Sequence, residues 1–111
     1  MKALFATIIL ALSTTAFAFE DDLKSMEAAA QVVHLNGEVC MVMKTQGVKD
    51  KSCDIFYRAL ERIQSIADAH AKAGTLEQLQ AASRRKMSRN AVYKNRVTRA
   101  MQTLEKMEMY E

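Results

Sequence analysis

No proline occurs anywhere in the 111 residues, and Gly37, Gly47 and Gly74 are the only glycines. Proline deletes a backbone donor and breaks helices, and glycine is the next strongest breaker. A chain poor in both is free to run in long helices joined at a few fixed points. The expected fold class is therefore mainly α, a small helical domain of three to four helices.

The first eighteen residues set the compartment. Lys2 leads an apolar run from Ala3 to Leu12, and Ala16-Phe17-Ala18 closes it, the order of charge, apolar centre and small-x-small site found in a secretory signal peptide. A spanning helix needs about 20 apolar residues, whereas this run meets Ser13, Thr14 and Thr15, then Glu20, Asp21 and Asp22. The expectation is a signal peptide over 1–18, a mature domain over 19–111, and a periplasmic or secreted location. Cys40 and Cys53 are the chain's two cysteines. In an oxidising compartment such a pair predicts one disulfide, a staple from which a small domain with a modest core gains. Their spacing does not fit a C-x-x-C redox motif.

Periodicity places the helices. After the acidic start at Glu20-Asp21-Asp22, Leu23, Met26, Ala30 and Val33 recur at steps of three and four, the mark of an amphipathic helix. Residues 32–43 are ambiguous, because apolar residues flank Asn36-Gly37, a strong hairpin signal. A helix break at Gly37 is preferred and a short hairpin near 32–43 is the alternative, since neither face of that hairpin is cleanly apolar. Ser52 is the expected N-cap of a long helix whose inner face is Ile55, Phe56, Ala59, Ile63, Ile66, Ala67 and His70, stopping at Gly74. Thr75 with Gln78 has the spacing of a capping box for a third helix, and Ser88 is a cap candidate for a fourth. Tyr93, Val97, Ala100, Leu104 and Met107 then follow steps of four and three, a seam for packing on helices. Homodimerisation through that seam is an alternative use of it.

Charge is distributed unevenly. Arg84, Arg85, Lys86, Arg89, Lys94, Arg96 and Arg99 fall in one stretch without an acid, while the rest of the mature chain holds eight bases and thirteen acids. Clustered charge of one sign steers association with an oppositely charged partner. Arginine dominates the cluster, and its planar fork suits carboxylate and phosphate. Tyr93 is the stretch's one aromatic, which disfavours stacking on single-stranded nucleic acid, and an exported chain meets little nucleic acid.

Other chemistry has thin support. Cys40-Met41-Val42-Met43 with Met101, Met107 and Met109 offers soft sulfur suited to Cu(I), but methionine is commonly core filler. His34 and His70 lack a Cys or His at zinc-ligand spacing, and no nucleophile motif surrounds any serine. No cofactor is expected. The sequence thus predicts a non-enzymatic exported binding protein, an inhibitor, immunity factor or adaptor. Its expected partner is another envelope protein with an acidic surface, such as a cell-wall lytic enzyme. Binding of anionic lipid or glycolipid and soft-metal carriage are the alternatives.

Overall fold

A computed structural model describes the backbone of residues 2–109 and the side chains of residues 19–109; the leader assignment to 1–18 falls outside the described side chains. Four helices follow one another, α1 (Lys2–Thr45), α2 (Lys51–Ala73), α3 (Leu76–Arg89) and α4 (Ala91–Glu108). There is no strand among the described residues.

Cross-links between helices give their directions. Cys40 is joined to Cys53 near the α1–α2 turn, and Asp22 meets His70 at the other end, so α1 and α2 are antiparallel. Arg96 bonds Glu27, His34 bonds Thr103 and Lys106 bonds Glu38, with sequence separations of 69, 69 and 68. A constant offset means that α4 runs parallel to α1. The short α3 carries the chain from α2 back to the start of α4.

The inner face of α1 reads as its periodicity requires. Leu23, Ala30, Val33 and Cys40 are buried. Two apolar clusters lie along it. Val33, Cys40, Phe56, Ala59, Ala100 and Met107 belong to one, and Leu23, Leu79 and Tyr93 form the other, with Phe19, Met26 and Val97 packed against them. The seam of α4 is thus buried inside the chain, Tyr93 and Met107 included.

The expected break at Gly37, and the hairpin alternative, are both overturned: α1 continues through Asn36-Gly37 to Thr45. The glycine answers to packing. A Cβ built on Gly37 would stand 2.6 Å from Thr103 Cγ2 and 3.0 Å from Phe56 Cδ2, so the missing side chain is what lets α2 and α4 approach α1 here. The helix stops instead at Gly47, where φ is +70° and the amide donates to the Lys44 carbonyl at 3.1 Å. Gly74 ends α2 as expected, in the left-handed conformation with φ of 75°. That conformation is easy for glycine and strained for other residues.

Four local expectations are corrected. Asp50, not Ser52, caps α2, its carboxylate accepting from the Ser52 amide at 3.0 Å. Thr75 makes no side-chain cap bond to α3, because its hydroxyl bonds His70 Nδ1 at 2.8 Å. Asn90 caps α4, accepting from the Tyr93 amide, while Ser88 bonds back to the Arg85 carbonyl. Ile55, expected in the core, is 42% exposed, since it lies on the flank of the face set by Phe56 and Ala59.

Two outcomes follow for stability. Gly37→Ala should destabilise the fold by about 1–3 kcal/mol through overpacking, although helix propensity alone favours alanine by about 1 kcal/mol; denaturant unfolding gives the sign. Reducing the Cys40–Cys53 bond, whose ends are 13 residues apart, should cost about 3 kcal/mol by the loop-entropy relation, read as a lower urea midpoint in reductant.

Candidate docking surface at the α3–α4 elbow

The elbow exists because Asn90 adopts extended geometry, φ −129° and ψ 104°, between two helices. Its amide donates to the Lys86 carbonyl at 2.8 Å and its side chain accepts from the Tyr93 amide at 3.1 Å, so one residue closes α3 and opens α4. Beneath it Tyr93 is buried, and its hydroxyl lies 2.7 Å from Ser83 Oγ. Burial raises the Tyr93 phenol above its ordinary value; the Ser83 bond opposes the shift and the charges of Glu27 and Glu20 add to it.

Helix geometry sorts the seven cations rather than massing them. Lys86 and Arg96 turn inward. Lys86 Nζ lies 3.5 Å from Glu20 Oε1 and 4.9 Å from the Tyr93 ring centroid, and Arg96 Nη1 donates to Glu27 Oε1 at 3.3 Å. Arg84, Arg85, Arg89, Lys94 and Arg99 are exposed, and none has an acid within ion-pair distance among the described residues. Arg85 and Arg89 join Lys86 on the rim of a cleft of about 470 Å³ floored by Phe19, Leu23 and Ala82. Arg84 and Lys94 face a separate hollow with Met87 and Ser88. Arg96 and Arg99 border a third, beside His34 and Leu35 of α1. The Arg85–Arg89 cleft is the one with an apolar floor, and its lining also includes Glu20, the partner of Lys86.

Most of the remaining candidates are engaged in the fold. The Cys40 sulfur is bonded to Cys53, Met41 and Met107 are core residues, and Met101 and Met109 are exposed. No group of three or more His, Cys, Asp or Glu side chains is placed to hold a metal among the described residues. His70 bridges Asp22 at 2.5 Å and Thr75 at 2.8 Å, tying α1 to the α2–α3 corner. His34 bonds the buried Thr103 hydroxyl at 3.0 Å, which also faces Glu38 at 3.2 Å.

Sequence reading missed the acids that select among the cations. Glu20 and Glu27 lie seven residues apart on α1, two helical turns on one face. That spacing was a legible sign that two of the seven bases would be drawn into partly exposed ion pairs with α1. Comparisons with protein-family models, with curated proteins and with solved structures find no match.

The buried Tyr93 sets a pH limit. The fold holds the neutral phenol, so its contribution is intact below the ordinary tyrosine range and is lost as pH rises through the raised folded value. Tyr93→Phe should cost about 1 kcal/mol at neutral pH by orphaning Ser83, yet should lose less stability than the parent on moving to strongly alkaline buffer. Urea unfolding at both pH values tests the crossover.

Proposed function

We propose that this chain is a small exported binding protein that acts without catalysis, docking an acidic surface of another exported protein against the α3–α4 elbow. The observation that carries the reading is the division of the basic cluster. Lys86 and Arg96 are held by acids of α1, while Arg84, Arg85, Arg89, Lys94 and Arg99 stay exposed with no acid in ion-pair range among the described residues. Unpaired surface charge of one sign contributes little to folding, whereas it guides and selects a complementary partner. The apolar floor under Arg85 and Arg89 adds area that can be desolvated on contact, as hot spots require.

Export is supported by the leader pattern at 1–18 and by the Cys40–Cys53 disulfide, a bond that persists in oxidising compartments. No helix among the described residues is long and apolar enough to cross a membrane. An inhibitor, immunity factor or adaptor of an envelope enzyme fits these features.

Capture from envelope extract with the purified protein, in low and high salt, tests the reading. One acidic protein should be retained, and Arg85→Glu with Arg89→Glu should weaken it at least about tenfold with helical circular dichroism unchanged. Unaltered capture by the double variant would refute the elbow as the docking site. Retention of anionic lipid alone, lost as salt rises, would replace the protein partner with a membrane surface.

A further inference from the structure

The segment that looked ambiguous in sequence, 32–43, is apolar on two sides of one helix. Its inner side carries Val33, Gly37 and Cys40 into the core. Its outer side carries a second series, Ala28, Val32, Leu35, Val39 and Val42, at steps of four, three, four and three. That is the spacing of a helix-packing seam, with valine at the a-type positions and leucine at a d-type position, a pattern suited to a single helical partner. Among the described residues its C-terminal part stands open, with Leu35 54% exposed, Val39 44% and Val42 53%, while Val32 is partly buried against the core. An apolar stripe along a helix face ordinarily packs against another element.

The flank of this seam is a groove between α1 and α2, about 630 Å³ in volume. Ala28, Ala29, Val32, Ile55 and Ala59 line its apolar part, and Lys24, Arg58 and Arg62 supply the charge, with no acid in the lining. All three cations are exposed, and none is in an ion pair among the described residues. Arg58 and Arg62 are four apart on α2, so they stand one above the other as a rail beside the seam. The small residues of the floor allow a helix backbone to approach closely.

We propose that the outer face of α1 is a docking seam for an amphipathic helix of another protein, one whose apolar stripe is flanked by Asp or Glu at successive turns. Charge selects this occupant. A second copy of the chain would bring Lys24, Arg58 and Arg62 against a seam with the same cations beside it. A lipid would match cations gathered at one end of a groove, whereas these run alongside it. A row of carboxylates at four-residue intervals meets the arginine rail while leucine-like side chains enter the seam. This groove shares no residue with the Arg85–Arg89 cleft, although Leu35 also borders the hollow of Arg96 and Arg99, so variants at Arg85 and Arg89 and variants at Val39, Arg58 and Arg62 test the two surfaces separately.

The test uses two synthetic peptides of four helical turns, both with leucine at steps of four and three, one flanked by glutamate and one by lysine. The glutamate peptide should bind the purified protein at least about tenfold more tightly than the lysine peptide, with amide shifts confined to residues 28–42 and 55–62. Val39→Asp, at an exposed position, and separately Arg58→Glu with Arg62→Glu, should each weaken it about tenfold or more while circular dichroism stays helical. Arg85→Glu with Arg89→Glu should leave it unchanged. Equal affinity for the two peptides, or insensitivity to Val39→Asp, would overturn the proposal. So would a dimer in sedimentation equilibrium that Val39→Asp dissociates, or phosphatidylglycerol vesicles that bind with the same sensitivity.

Discussion

Three helices meet at Gly37, and the rest of the architecture is referred to that crossing. The ring of Phe56 from α2 and the methyl of Thr103 from α4 occupy the space a side chain at residue 37 would fill. Close approach at that point brings the buried Thr103 hydroxyl within reach of His34, Glu38 and its own Arg99 carbonyl, so it is satisfied. It also holds α1 and α2 near enough for Cys40 and Cys53, with Cα atoms 4.8 Å apart, to bond one helical turn further on. A side chain at residue 37 would push on all of these at once, because a close-packed interior passes a local displacement to its neighbours.

The helical class was legible because its signals are redundant: no proline, few glycines and apolar residues at steps of three and four. The seam of Tyr93, Val97, Ala100, Leu104 and Met107 was readable residue by residue, since each of its positions packs inward. What misled was glycine. Gly37 and Gly47 look alike in sequence, yet one sits in a helix under two side chains and the other turns the chain with φ +70° in open space. The distinction depends on residues 56 and 103, which local reading does not consult. The caps failed for a related reason. Ser52, Thr75 and Ser88 have the right chemistry, but Asp50 and Asn90 stand nearer the true ends, and Thr75 is drawn off by His70.

The cationic stretch was legible as charge and illegible as surface. Seven bases in sixteen residues wind around two helices set at an angle, so they face three different hollows. Which of them stay unpaired depends on acids of α1 more than sixty residues away in sequence, as with Glu27 and Arg96. Long-range pairing of that kind leaves no local pattern except the periodic placement of the acids themselves.

Two surface economies coexist in this small domain. On the side where α4 and α3 meet α1, each acid of α1 faces a base: Glu20 with Lys86, Glu27 with Arg96, Glu38 with Lys106. Such partly exposed pairs contribute little each, and they agree with the register that the packing of Thr103 on Gly37 sets. On the opposite side of α1 the balance is absent. Among the described residues Lys24, Arg58 and Arg62 have no acid in ion-pair range, and Leu35, Val39 and Val42 beside them stay exposed. If exposed seam and unpaired rail were incidental, they would be scattered, since single exposed apolar residues are normal on any surface. Their alignment along one helix face, in the spacing that helices use to pack, is the observation on which the proposed docking seam rests.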